Sequence, residues 1–219
     1  MMPLRRTHRI SIVVAPWLCL ACGVATAAPS VDPATAKRLK NWEVISTSEK
    51  VENQKVMMGK AVGTVADVPE AVLHTVVDVA RYKHFLPRIK GSRLVRRRGN
   101  QVYAVVESAL PWPVRDAWVY VKLVYHRRGG RAYEVKWKMI NGTMNQYFGR
   151  ALIQPWNDDA SHTLLTYEVM AEPKTAAPDS VISRGVRKVT EVFTHRLRMR
   201  VAALRKYRKL PADLARRYR

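Results

Sequence analysis

Between residues 55 and 173 the chain runs in short stretches of alternating apolar and polar residues, interrupted once by a helical spacing. Lys55 to Ala66 alternates loosely and predicts a strand. Asp67 then offers a helix N-cap, with Pro69 in the first turn and Glu70 at the third position. Val72, Leu73, Val76, Val77 and Ala80 follow at helical spacing, and a short helix or turn, Arg81 to Leu86, ends at Pro87. Further runs stop at turn residues: Ile89–Arg98 at Gly99-Asn100, Gln101–Leu110 at Pro111-Trp112-Pro113, and Arg115–Arg128 at Gly129-Gly130. Ala132–Ile140 stops at Asn141-Gly142, a two-residue hairpin signal. Thr143–Gln154 stops near Pro155 and Asp158-Asp159, and Ser161–Glu172 stops at Pro173. This reads as an antiparallel meander.

From Asp179 to about Lys209 there is no proline. Ile182, Val186, Val189, Phe193, Leu197, Val201 and Leu204 lie three or four residues apart, which predicts one apolar stripe on a long amphipathic helix. The opposite face carries Arg184, Arg187, Lys188, Arg198, Arg205, Lys206 and Lys209. The fold class is therefore α+β. A sheet of about six or seven strands, with one or two short helices after the first, packs a long C-terminal helix against one face. Alternation defines the strand faces. Candidate inward sets are Tyr103, Val105 and Glu107; Val119, Val121 and Leu123; Tyr133, Val135, Trp137 and Met139; and Leu165, Tyr167 and Val169. Ile182, Val186, Val189 and Phe193 would face them from the helix. A lone buried Glu107 would need a partner, and Arg200, on the edge of the stripe, is placed to supply it.

Charge and the N-terminus change this picture. The 219 residues hold 39 Lys+Arg against 17 Asp+Glu, a net charge of +22, yet 47% are hydrophobic, which excludes disorder. Arg5, Arg6 and Arg9 precede the apolar run Ile10–Ala25, and Ala25-Thr26-Ala27 has the form of a cleavage site. The run is short for a spanning helix and contains Pro16. Residues 1–27 thus read as a signal peptide cleaved near Ala27, and the mature chain as periplasmic or secreted. Residues 28–40 read as a linker, 41–210 as a single folded domain and 211–219 as a basic tail. Cleavage removes three arginines and both cysteines (Cys19, Cys22), leaving a charge of +19 and no thiol chemistry. Export moves the expected anionic partner from nucleic acid to peripheral contact with an anionic membrane.

Catalytic and metal signatures are missing. His74, His84, His126, His162 and His195 have no metal-ligand spacing. No nucleophile elbow, P-loop or dinucleotide fingerprint occurs, so no cofactor and no catalytic residue is assigned. Adjacent Arg115 and Asp116 point to opposite faces of a strand and cannot act on one atom, so they read as a structural contact. Trp112, Trp118, Trp137 and Trp156 read as core, cavity or membrane-interface residues rather than base-stacking platforms.

Several ordered segments carry a resemblance. Trp42, Val77-Asp78 with Tyr82, Phe85 and Pro87, Pro111-Trp112-Pro113-Val114-Arg115-Asp116, Leu152-Ile153-Gln154-Pro155 and Thr163-Leu164-Leu165-Thr166-Tyr167 are similar to segments of the START (StAR-related lipid transfer) domain. Between Trp42 and Leu204 the chain resembles that family, within the helix-grip superfamily of polyketide cyclases and coenzyme Q-binding proteins. The resemblance implies a curved sheet wrapped around the C-terminal helix, with an elongated apolar cavity between them. It also implies a protein that binds, carries or senses a lipid or other apolar ligand, with transfer as one use of such binding; a monomer is expected. Glu107 resembles the cavity carboxylate of sterol-binding members, although the matching basic position reads Val121. The alternatives are a cyclase or aromatase acting on a hydrophobic substrate, and a basic polyanion-binding protein with a filled interior.

Overall fold

The computed structural model describes residues 31–208 apart from 53, 111–113 and 158. Residues 1–27, read above as a signal peptide, Pro111-Trp112-Pro113 and the tail 211–219 lie outside the described residues.

The stretch read as a linker ends in a helix, α1 (Pro33–Lys40). The Asp32 carboxylate accepts the Thr35 N–H at 2.9 Å, and Pro33 starts the helix with its φ already set. Lys37, Arg38 and Lys40 sit in the last turn, where cations oppose the negative end of the helix dipole. Only Leu39 is buried, and its carbonyl accepts the Thr64 hydroxyl at 3.2 Å. One buried side chain in eight residues is too weak a periodic signal to mark a helix.

Then follow β1 (Ile45–Glu49), β2 (Met58–Val65), α2 (Pro69–Val77), a 3₁₀ helix (Val79–His84), β3 (Ile89–Arg98), β4 (Gln101–Ser108), β5 (Ala117–Gly129), β6 (Ala132–Gly142), β7 (Met144–Trp156), β8 (Asp159–Pro173) and α3 (Asp179–Arg208). The strands form one antiparallel sheet in the order β1-β2-β8-β7-β6-β5-β4-β3. The meander from β3 to β8 closes on β2, with Val62 opposite Thr166. The strand beyond the expected six or seven is β1, whose sequence Ile-Ser-Thr-Ser-Glu has one apolar residue and reads as loop. It is an edge strand held by pairing with β2 rather than by burial.

Two local readings shift. Val68, not Asp67, is the N-cap of α2, and the Asp67 carboxylate instead accepts the Val68 N–H. Asn141-Gly142 does not close a two-residue hairpin. The β6–β7 register ends at Lys138 opposite Phe148, while Asn141 and Gly142 stay paired to β5. Trp118 and Thr143 then exchange two hydrogen bonds, Thr143 N–H to the Trp118 carbonyl and Trp118 N–H to the Thr143 hydroxyl, both 3.0 Å. The longer partner β5 captures the end of β6 before it can turn.

Helix α3 lies over β2, with β8, β1 and α2 alongside. The approach is close because β2 presents glycine there: a Cβ on Gly59 would stand 2.9 Å from the Val186 carbonyl oxygen. Arg198 fastens the other flank. Its guanidinium donates to the carbonyls of Thr64 (2.6 Å), Trp42 (2.7 Å) and Glu43 (3.1 Å), tying α3 to β2 and to the segment before β1. Arg205 donates to the Ala66 carbonyl at 3.0 Å. Two charges read as part of the free basic face are therefore spent on backbone. Among the described residues no helix is long and apolar enough to cross a membrane.

Candidate functional site

The helix-facing side of the sheet is built from strict alternation. On β5, Val119, Val121 and Leu123 are buried; on β6, Val135 and Trp137; on β8, Leu165, Tyr167 and Val169. Tyr133 and Met139 continue the β6 set, both half-buried. Tyr133 reaches the rim, where its hydroxyl donates to Glu70 of α2 at 3.1 Å. Arg131 grips the same carboxylate at 2.6 and 3.1 Å, and this contact, with the Tyr133 hydroxyl, holds the Glu70 carboxyl down at about 2.

On β4 the expected face is the wrong one. Val102, Ala104 and Val106 are buried, because they pair with Leu123, Val121 and Val119, and directly paired residues share a face. Tyr103, Val105 and Glu107 therefore point outward. The Tyr103 ring lies under the Arg96 guanidinium (4.6 Å) and near the Lys122 ammonium (5.7 Å). Glu107 is exposed and lies across Gly91 of the edge strand β3. Both faces of β4 are apolar enough to be buried, and a one-residue slip in reading reverses all of them.

On α3, Val186, Phe193, Leu197 and Val201 are buried and Ile182 is half-buried, as the stripe predicts. Val189 is 56% exposed and lines nothing inside. Thr190 and Thr194 are fully buried in its place, each hydroxyl donating to a carbonyl of the preceding turn. Small hydroxyl residues let the helix settle onto β2, and a hydrophobicity count does not register them. Arg200 is not near Glu107. It lines an open groove outside the core with Lys83, His84, Phe85, Arg196 and Met199, of volume about 440 Å³.

The interior is an aromatic column. Trp137 stacks on Tyr167 (ring centroids 5.1 Å apart) and Tyr167 on Phe193 (4.0 Å), and Phe193 meets Tyr82 edge-on at 5.9 Å. The Tyr82 hydroxyl donates to the Val76 carbonyl at 2.6 Å. The Tyr147 and Tyr167 hydroxyls are hydrogen-bonded to each other, and burial pushes Tyr147 up to about 12 and Tyr167 well above the usual phenol. All three tyrosines are neutral at any ordinary pH. The Trp137 indole N–H is buried and has no acceptor. An unmade hydrogen bond of this kind costs roughly 1–3 kcal/mol.

Against the expected elongated cavity, these rings leave a void of about 20 Å³, lined by Tyr82, Val106, Val121, Leu123, Trp137, Tyr147 and Tyr167. That is room for one water molecule. Val76, Val79, Tyr82, Val106 and Tyr147 are the lining residues missed from sequence. Tyr147, Gly149, Ala151 and Ile153 form an alternating set on β7 that would have placed Tyr147 inward. Asp116, read as structural, pairs with Lys90 and accepts the Leu110 N–H at 3.4 Å, so it binds β5 to the neighbouring segments rather than to Arg115. Among the described residues no three metal-ligating side chains gather.

No family model and no curated protein matches the sequence. Solved structures do. The STAR-related lipid transfer protein of Xanthomonas axonopodis superposes with a TM-score of 0.65 at 16% identity, covering 73% of this chain and 93% of that one. Human STARD10 gives 0.63 at 13%, covering 84% and 85%. A START superfamily protein from Mycobacterium smegmatis gives 0.54 at 18%, covering 67% and 98%. The eight-stranded sheet with α3 across it is the helix-grip fold of START domains.

Proposed function

We propose that this chain, with the fold of START domains, binds an apolar ligand between its sheet and α3, and transfers it between surfaces. The observation that carries the reading is the buried Trp137 N–H without an acceptor, beside a pair of neutral tyrosine hydroxyls and a residual void. A packed core of aromatic and aliphatic side chains has no use for an unsatisfied donor. A ligand oxygen of ester, ketone or hydroxyl type entering the void would accept from it, while its apolar body replaces ring-on-ring contacts. Neutral phenols favour an uncharged ligand group at this depth.

Entry requires Phe193 and Tyr82 to swing apart. Each ring pair given up costs about 0.5–1.5 kcal/mol. Burying on the order of 300 Å² of ligand returns about 7 kcal/mol at 25 cal/mol/Å². After the costs of association this supports micromolar binding with fast exchange. The proposed setting is the periplasm or the secreted space, where the excess positive charge would favour peripheral contact with anionic membrane.

The filled interior favours a second reading, a protein that uses only its basic surface on polyanions. Native mass spectrometry of the protein purified from its expected compartment, followed by lipid extraction, separates the two. A lipid-mass adduct, or uptake of a fluorescent lipid, is expected. A protein that neither carries nor accepts any lipid would overturn the first reading in favour of the second.

A further inference from the structure

Outside the closed interior lies the open groove of about 440 Å³, between the end of the 3₁₀ helix and the second half of α3. Lys83 and His84 stand on one side. Arg196 and Arg200, four residues apart and so on one face of α3, stand on the other. None of the residues lining the groove is acidic. Among the described residues Lys83, Arg196 and Arg200 have no ion-pair partner, whereas Arg198 on the same helix is fully engaged with carbonyls. The groove is not purely polar: Phe85, Leu86 and Met199 also line it, and Met199 is 62% exposed. A stretch of like charge without a counterion, beside half-buried Phe85 and Leu86 and exposed Met199, matches a molecule that has both an anionic and an apolar part.

The groove also shares its two walls with the interior. Tyr82, which lines the void, directly precedes Lys83, and Phe193, whose ring meets Tyr82 edge-on at 5.9 Å, lies three residues before Arg196. We infer that the groove is the headgroup site of the ligand, and that the ligand is an anionic amphiphile. Its phosphate or carboxylate is held by Lys83, Arg196 and Arg200, and its chains pass between Tyr82 and Phe193. The inference rests on the apolar-ligand reading above and narrows it to a substrate class. Charge-assisted hydrogen bonds from two arginines suit a phosphate, which accepts them in bidentate form.

The test is isothermal titration of the full chain with three monomeric probes below any micelle concentration: dihexanoyl phosphatidic acid, dihexanoylglycerol and inorganic phosphate. The phosphatidic acid is expected to bind at least about tenfold more tightly than the neutral diglyceride, a preference that shrinks as salt rises. Replacing Lys83→Gln, Arg196→Gln and Arg200→Gln together should remove that preference and leave diglyceride binding within about twofold, a difference of under 0.5 kcal/mol. The single variant Arg196→Gln, at an exposed position, should move the same way by a smaller factor. Equal binding of both lipids by the unaltered protein overturns the headgroup site and leaves the apolar-ligand reading standing. Inorganic phosphate binding as tightly as the phosphatidic acid makes the groove a free-anion site and overturns the amphiphile. Binding of neither lipid overturns both readings. Loss of both lipids in the triple variant with an unchanged melting curve also overturns the headgroup role.

Discussion

The two flanks of α3 are built in opposite ways. Toward β2 the helix rests on glycine and threonine, and Arg198 closes the contact with three backbone carbonyls. Toward β4, β5 and β6 the core is centred on a chain of rings: Trp137, Tyr167, Phe193 and Tyr82. The first flank is fixed by main-chain geometry, which has few alternatives. The second is filled by side chains that have other rotamers and one unmet hydrogen bond. One helix can thus be both a structural clamp and the wall of a site, provided the two duties fall on different flanks.

The comparison can be broken most forcefully at the close contact. Gly59→Val places methyl groups against the Val186 carbonyl and should cost about 3 kcal/mol in chemical denaturation. A cost below about 0.5 kcal/mol would mean the β2 flank is not rigid, since surface changes alone stay within that range. Next is Arg198→Ala, expected at about 2 kcal/mol from three lost charge-assisted bonds. Arg198→Lys should recover little of it, because an ammonium cannot reach three carbonyls in the plane of a guanidinium.

On the yielding flank the effects shrink in stability and grow in exchange. Phe193→Leu keeps most of the volume and should cost about 1.5 kcal/mol or less. It removes the Tyr167–Phe193 stack, so stopped-flow uptake of a fluorescent lipid should quicken. Slower uptake would mean that the rings do not gate the interior.

At the rim, Glu70→Gln should cost about 1 kcal/mol at pH 7, the upper range for a half-exposed pair. The folded-state carboxyl lies near 2 against 4.5 when unperturbed, so its contribution is complete above 4.5 and disappears as pH falls through 2. Denaturation curves of the two proteins should therefore converge at the acid end. Smallest of all, Glu107→Gln should change stability by less than about 0.5 kcal/mol and leave lipid retention unaltered, since Glu107 is outside the core.

The contrast between the flanks also explains what could be read from the amino-acid order. Turn residues mark the ends of β3 to β8 closely, because glycine and proline act locally. The rigid flank is nearly invisible. Thr190, Thr194 and Gly59 carry no hydrophobic signal, so the periodic stripe of α3 takes in the exposed Val189 and passes over the two threonines. Arg198 looks like any surface arginine until the carbonyls of Thr64, Trp42 and Glu43 converge on it. The aromatic flank is half legible. Trp137, Tyr167 and Phe193 follow from periodicity, whereas Tyr103, Val105 and Glu107 fell on the outer face because β4 is apolar at both parities. That the rings meet and leave only about 20 Å³ depends on stacking distances that no one-dimensional pattern contains.

Arg198 has one further consequence. It pins α3 about two-thirds of the way along, anchored to β2 and to the chain ahead of β1 at once. A helix pinned there cannot lift away like a hinged cover without first tearing three bonds to a charged group. Opening on the far side is left to ring rotations around Phe193, motions of single side chains rather than of whole elements. The pace of the proposed ligand exchange would then be set by buried aromatic side chains turning against their stacked neighbours, not by the swing of a domain.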